Sequence, residues 1–196
     1  VSILIGVDIG QRTEPSALCV AEIQDRPGPH ATESHYLVRH LERLALGTTY
    51  PCLADRTGQV CSKVVQRMER APTVYLDVTG LGDSVVGVFS SRVHDARVVA
   101  VYFNHGDRRN RINYREIHLG KAYLVTRLQT LLQLGCLHLP RTAQAESLAS
   151  DLLDFQIQVA EDANDRYGAF KVGPRDDLVT ALGLATQPAP PGLGIF

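Results

Sequence analysis

Two short apolar runs each deliver an aspartate to a glycine-bearing turn: Ile5-Gly-Val-Asp8-Ile-Gly10, and Val74-Tyr-Leu-Asp77 followed by Gly80 and Gly82. A third acidic position, Gly173-Pro-Arg-Asp176-Asp177-Leu178, opens an apolar stretch near the C-terminus. Taken singly, a strand-end aspartate caps a turn, and acids in a first helical turn complement the helix dipole. Taken together they say more, because two strand ends and a helix start can converge from distant positions. Gathered carboxylates repel one another unless cations neutralise them, and all-oxygen ligation suits Mg²⁺ or Mn²⁺. Two such ions roughly 3.5–4 Å apart can activate a water and stabilise the leaving oxygen of an in-line phosphodiester displacement. In that arrangement Asp8 and Asp77 sit under the metals, and the aspartate at the helix N-terminus closes the site from above. Asp83, just beyond Gly82, reads as the N-terminal carboxylate of the next helix and stays outside the site.

The elements that must carry these acids follow from hydrophobic periodicity. Ser2–Val7 reads as a buried strand, Ser16–Ile23 as a second joined by a hairpin, and Ser34–Leu46 as a third after the Asp25-Arg-Pro-Gly-Pro turn. A helix is expected over Pro51–Arg70, a strand over Thr73–Val78, a helix over Leu81–Val93 and a strand over Arg97–Phe103. Asn104–Arg115 is polar and basic, and Ile117–Leu134 has helical spacing stopped by Gly135. Cys136–Leu139 reads as a short extended piece, Ala143–Phe155 as an amphipathic helix and Gln156–Val159 as an edge strand. Pro174–Thr186 is the last helix, with Pro in its first turn. Three antiparallel strands followed by helix, strand, helix and strand make a mixed α/β sheet flanked by helices, of ribonuclease H-like order. Residues 1–187 form one domain in this reading, and 188–196 an irregular tail.

The 196 residues suffice for one core of ordinary size. Twenty basic against 21 acidic residues leave a net charge of -1, so evidence for a polyanionic partner must be local. Lys63, Lys121 and Lys171 are the only lysines. The arginine excess suits phosphate contact and equally suits a GC-rich genome. Cys19, Cys52, Cys61 and Cys136 form no C-x-x-C pair, which fits a reducing compartment, with Cys19 and Cys136 read as core thiols. No apolar run reaches the roughly 18 residues of a membrane span. The chain starts almost directly with a strand and lacks an initiator Met, as an excised domain would.

The locally basic stretch is Asn104–Lys121, with Arg108, Arg109, Arg111, Arg115 and Lys121 opposed only by Asp107 and Glu116. It reads either as a solvated surface loop or as a DNA-binding segment that tracks phosphates without reading sequence.

At the level of motifs the chain resembles the nuclease domain of a bacteriophage terminase large subunit, within the ribonuclease H/integrase-like superfamily. The matching segments are Gly6–Ala17, Leu76–Gly82, Gly120–Gly135, Ala145–Phe155 and Gly173–Ala185, in the family's order and covering most of residues 3–186. The resemblance implies a metal-dependent endonuclease that cuts concatemeric double-stranded DNA as packaging starts and ends. It makes Asp8, Asp77 and Asp177 the catalytic metal ligands, with Asp176 auxiliary and two Mg²⁺ or Mn²⁺ ions as cofactor. Glu14 either helps hold a second metal or is a solvated hairpin carboxylate. Arg175 stands where the family often has His. Implied partners are the terminase ATPase, the portal and the small terminase subunit, in the cytoplasm of a bacterial host. No G-x-x-x-x-G-K-[ST] loop occurs, so the translocating motor is not encoded here.

Three alternatives stand beside this. A Holliday-junction resolvase or ribonuclease H would share the carboxylate chemistry. An actin-like or sugar-kinase-like ATPase would use Asp8-Ile-Gly10 with Thr13 and Asp77-Val-Thr-Gly80 as phosphate loops. An inert scaffold would keep the fold alone.

Overall fold

The structure is a computed structural model that describes residues 1–10, 14–154 and 176–188. Strands β1 (Ser2–Asp8), β2 (Ala17–Pro27) and β3 (Thr32–Arg43) form the expected antiparallel meander. After helix α1 (Tyr50–Met68), strand β4 (Thr73–Asp77) returns parallel to β1. Helix α2 (Asp83–Ser90) then leads to β5 (Arg97–Asn104), parallel to β4.

Beyond β5 the fold departs from the sequence reading. Asn104–Arg115 is not all loop, because Arg109–Arg111 forms β6, and Glu116–Gly120 is a strand, β7, rather than the start of the next helix. In that pentapeptide Ile117 and Leu119 are buried while Glu116 and His118 are half-buried, a period of two that a helical template also accepts. The open edge of β5 decides the outcome by pairing with β7 in parallel. Helix α3 (Lys121–Gln133) therefore begins later than expected, and Gly135, at φ 66°, follows its end. Strand β8 (Leu137–His138) pairs parallel to β3, helix α4 spans Ala143–Asp154 and helix α5 Asp177–Ala185. The expected edge strand at Gln156–Val159, the Pro174 start of the last helix and all of the tail except Pro188 lie outside the described residues.

The result is one eight-stranded sheet, ordered β6-β7-β5-β4-β1-β2-β3-β8, between two helical layers. Ile3, Ile5 and Val7 pack with Leu53, Val60 and Phe89 beneath α1 and α2. Leu4, Tyr75 and Val101 pack with Leu124, Leu128, Leu148, Leu178 and Leu182 beneath α3, α4 and α5. Helix α5 is apolar nearly all round, as a helix enclosed between a sheet and other helices must be. Cys19 and Cys136 are buried in the α3–α5 layer, as expected, and Cys61 in the other.

Gly6 sets how closely α5 lies on β1. A Cβ at this position would overlap the Ala181 carbonyl oxygen and the Ala185 nitrogen of α5, which are backbone atoms that cannot rotate away. Gly6→Ala is expected to cost at least about 1–3 kcal/mol through overpacking, read as a lowered urea midpoint.

Candidate active site

Strand alternation aims the first two acids at one point. Asp8 shares the face of Leu4 and Gly6, and Asp77 that of Tyr75, so both point toward α5. In the parallel register Val7 pairs with Leu76, which sets Asp8 and Asp77 side by side one residue further on. They occupy the C-terminal ends of the parallel strands, where open α/β sheets present their ligand crevices. Behind Asp8 the Gly10 amide donates to Ser16 Oγ at 3.0 Å, folding the chain back into β2. Behind Asp77 the Thr79 amide donates to the aspartate Oδ1 at 2.9 Å, and Thr79 Oγ1 accepts from Phe103 N at 2.8 Å. Gly80 and Gly82, at φ 74° and 76°, then take left-handed turns that carry the chain into α2. Asp83 begins that helix and accepts a hydrogen bond from Tyr102, away from the cluster.

The third corner comes from α5. Asp176 occupies its N-cap position, half-buried, and Asp177 its first helical residue, buried at 4% exposure. The two acids are used differently. Arg43 grips Asp177 with both arms of its guanidinium, Nε to Oδ2 at 2.6 Å and Nη2 to Oδ1 at 2.8 Å, and reaches Asp151 of α4 at 3.2 Å. Asp8 pairs with Ala17, and Ala17 with Arg43, so the arginine stands level with Asp8 two strands away. The small side chain of Ala17 leaves Arg43 room to reach over to α5. Asp176 makes no ion pair among the described residues.

Electrostatics show which groups share a space. Burial raises the Asp8 carboxyl well above the ordinary aspartate range, and the charges of Asp77, Asp176, Asp177 and Glu14 raise it further. Burial also raises Asp77, while Thr79, Lys121 and the adjacent Asp8 carboxyl draw it partly back. Asp176 is raised by burial, against the charge of Lys121 and with those of Glu14 and Asp177. Glu14 is exposed, yet close enough for its charge to reach Asp8 and Asp176. Lys121, at the start of α3, is half-buried and faces the carboxylates. The sequence offered a DNA contact or a solvated lysine for this position; its charge reaches the acids.

This donor set fits a hard divalent cation. Asp8, Asp77 and Asp176 offer oxygen only, and their proton affinities are raised by burial, at Asp8 and Asp176 also by neighbouring carboxylates, with Lys121 offsetting only part of the charge on Asp77 and Asp176. Asp177 differs, since both of its oxygens already accept from Arg43.

The arginines of the basic segment are spread along the sheet edge. β6 and β7 form an antiparallel hairpin with Arg109 opposite Leu119 and Arg111 opposite Ile117. The Arg108 carbonyl accepts from Gly120 N, which sets Arg108 at the carboxylate end of β7 beside Lys121. Arg108 and Arg111 are exposed, while Arg109 is half-buried and donates to Gln187 at 3.2 Å. Arg115 lies over the Tyr114 ring at 5.1 Å, at the other end of β7. Lys121 is thus near the acids, Arg108 stands at the same end of the sheet, and Arg115 lies at the other end.

Arg43 was invisible in the sequence. A lone arginine at the end of an alternating strand looks solvated, and only the strand register shows its height relative to Asp8.

With this geometry in hand, the chain can be compared with solved structures. The human cytomegalovirus terminase nuclease domain, in a Mn-soaked form, superposes with a TM-score of 0.59 at 13% identity, covering 94% of this chain and 81% of that one. The fold is ribonuclease H-like. A second structure of that domain gives a TM-score of 0.56 at 11% identity, over the same 94% and 81%. Thermus thermophilus RuvC gives 0.42 at 13% identity, over 93% of this chain and 90% of that one. No family model and no curated protein sequence matches the chain.

Proposed function

We propose that this chain is a metal-dependent endonuclease that hydrolyses double-stranded DNA, the nuclease domain of a viral DNA-packaging terminase of the bacteriophage kind. The observation that carries the reading is the meeting of Asp8, Asp77 and Asp176 at one end of the sheet, beneath the start of α5, in a ribonuclease H-like fold. The likeness to a terminase nuclease domain and the ordered sequence segments of residues 3–186 both support it. An ATPase motor, a portal and a small terminase subunit would be its partners in the cytoplasm of a host bacterium.

In this proposal Asp8, Asp77 and Asp176 are the metal ligands, with Glu14 holding a second ion or its waters. Asp177 takes the anchoring role, because Arg43 occupies both of its oxygens. Bound Mg²⁺ or Mn²⁺ would activate the attacking water and neutralise the leaving oxygen. The protein's own part is to hold the carboxylates in register and to meet the duplex with positive charge. Lys121 offsets charge on Asp77 and Asp176 and in this reading would meet the scissile phosphate. Arg108 and Arg111, exposed on the neighbouring hairpin, would follow the backbone without reading bases.

Supercoiled plasmid, a four-way junction and an RNA–DNA hybrid, each incubated with Mg²⁺, Mn²⁺ or EDTA, test the proposal. Cleavage of plain duplex that needs a divalent ion is the expected result. Cleavage that survives EDTA would overturn the mechanism. Strong preference for the junction or the hybrid would move the chain to a resolvase or ribonuclease H role.

A further inference from the structure

A second set of metal-ligating side chains lies at the β3–β8 edge, apart from the carboxylate site. Glu33 and His35 alternate along β3, and Cys136 and His138 bracket Leu137 of β8. Tyr36 pairs with Leu137, and Leu37 with His138. Tyr36 and Leu137 therefore face the core, Glu33, His35 and His138 share the opposite side of the two strands, and Cys136, buried with the core just before β8, still brings its thiol to Glu33 and His35. Ligand atoms of Glu33, His35 and Cys136 all lie within 4.8 Å of one another. His138 Nε2 comes within 2.9 Å of His35 Nδ1, the two rings stacked at 5.2 Å between centroids.

We propose that Glu33, His35, Cys136 and His138 bind a single zinc ion, or a similar borderline transition metal, that staples β8 to β3. The donor types are those of tetrahedral zinc: thiolate, two imidazoles and a carboxylate. Zn–N bonds of about 2.0–2.1 Å place the nitrogens of a tetrahedral site roughly 3.3 Å apart, and the His35 and His138 nitrogens, at 2.9 Å, already stand close to that spacing. The set is mixed and includes sulfur, which sets it apart from the all-oxygen cluster that favours Mg²⁺.

Two further features fit a ligand role. Glu33 lies across the β2–β3 hairpin from Arg26, yet makes no ion pair among the described residues, because the arginine donates to Gln24 at 3.0 Å. Cys136 is buried to 3% exposure, while the two histidines and Glu33 are only half-buried, which gives an ion a path in from the hairpin side. β8 is two residues long and among the described residues pairs only with β3, so a metal would add an attachment to its short ladder. That strand links α3 to α4, the helix that carries Asp151 against Arg43.

Cobalt titration of the full chain, stripped with EDTA and kept reduced, tests the site. It is carried out in an Asp8→Asn/Asp77→Asn background, so that the carboxylate site does not report. A single equivalent of Co²⁺ is expected to give tetrahedral d–d absorption with a thiolate charge-transfer band, and Zn²⁺ should displace it. Cys136→Ser should abolish the charge-transfer band, and His35→Ala or His138→Ala should weaken affinity by roughly 10–100-fold or more. Cys52, the exposed thiol of α1, is the control: a band lost in Cys52→Ser and kept in Cys136→Ser would overturn the proposal. So would the absence of any thiolate band in the folded parent chain. Should Cys136→Ser fail to fold, the two histidine variants, at half-buried positions, carry the test by themselves.

Discussion

Asp8→Asn is expected to lower DNA cleavage by roughly 10²–10³-fold or more, the equivalent of several kcal/mol of lost transition-state stabilisation. The same substitution is expected to raise the melting temperature of the metal-free protein at neutral pH. Both effects follow from one fact, that Asp8 is held among like charges with its proton affinity raised by burial and by its neighbours. An aspartate in the unfolded chain titrates near about pH 3.9. Between that value and the higher one in the folded chain, the native state binds more protons than the unfolded state. Stability therefore falls as pH rises through this window, and above it the full cost of ionising Asp8 is present. Asparagine has no such cost. In EDTA the variant should match the parent below about pH 4 and become progressively the more stable of the two as pH rises. Mg²⁺ or Mn²⁺, binding only the native state, should restore stability to the parent and much less to the variant. Asp77→Asn should follow the same pattern with a smaller stability gain, because Thr79 and Lys121 already favour its charged form. Thermal melts from pH 3 to 8, with and without metal, check this. A variant no more stable than its parent in EDTA at pH 7 would mean that the carboxylates are not forced together.

How much of this could be read from the sequence depended on how local each signal was. Asp8 and Asp77 were legible because each ends a continuous apolar run that can only be a central strand, and Gly10, Gly80 and Gly82 announce the turn that follows. The β1–β2–β3 meander was legible for the same reason, as was the start of α2 at Asp83. The β7 strand was not, since Ile117 and Leu119 satisfy both periods and the deciding partner, the edge of β5, lies elsewhere in the chain. Cys136–Leu139 was seen as extended, but its pairing with β3 was not, so the approach of Cys136 and His138 to His35 stayed hidden. The pair Asp176-Asp177 marked a site without showing which acid faces it. In the proposed site that choice falls to Arg43, 134 residues from Asp177 in sequence, through a strand register that no local pattern encodes.

The division of labour between those two acids leads to the second large effect. Arg43→Ala should destabilise the fold by about 3–5 kcal/mol, because it removes the one counter-charge that pairs with buried Asp177, and with Asp151 beside it, among the described residues. Arg43→Lys should recover part of this: it restores the charge but cannot make the paired Nε and Nη2 contacts. If Asp177 anchors α5, Asp177→Asn should also lower stability strongly, and a double-mutant cycle with Arg43→Ala should show a coupling energy of the same order as either single loss. Asp176→Asn should do the opposite. It removes a half-buried carboxylate whose proton affinity is already raised, so the metal-free fold should be unharmed or firmer, while metal affinity and cleavage collapse together. Calorimetric Mn²⁺ binding and urea denaturation on the same four variants separate the cases. Loss of metal binding with intact stability in Asp177→Asn, together with retained binding in Asp176→Asn, would exchange the two roles and make Arg43 a group that must release Asp177 before metal can bind. Retained binding in both variants would leave Asp8, Asp77 and Glu14 as the ligand set and reduce the start of α5 to a structural clamp.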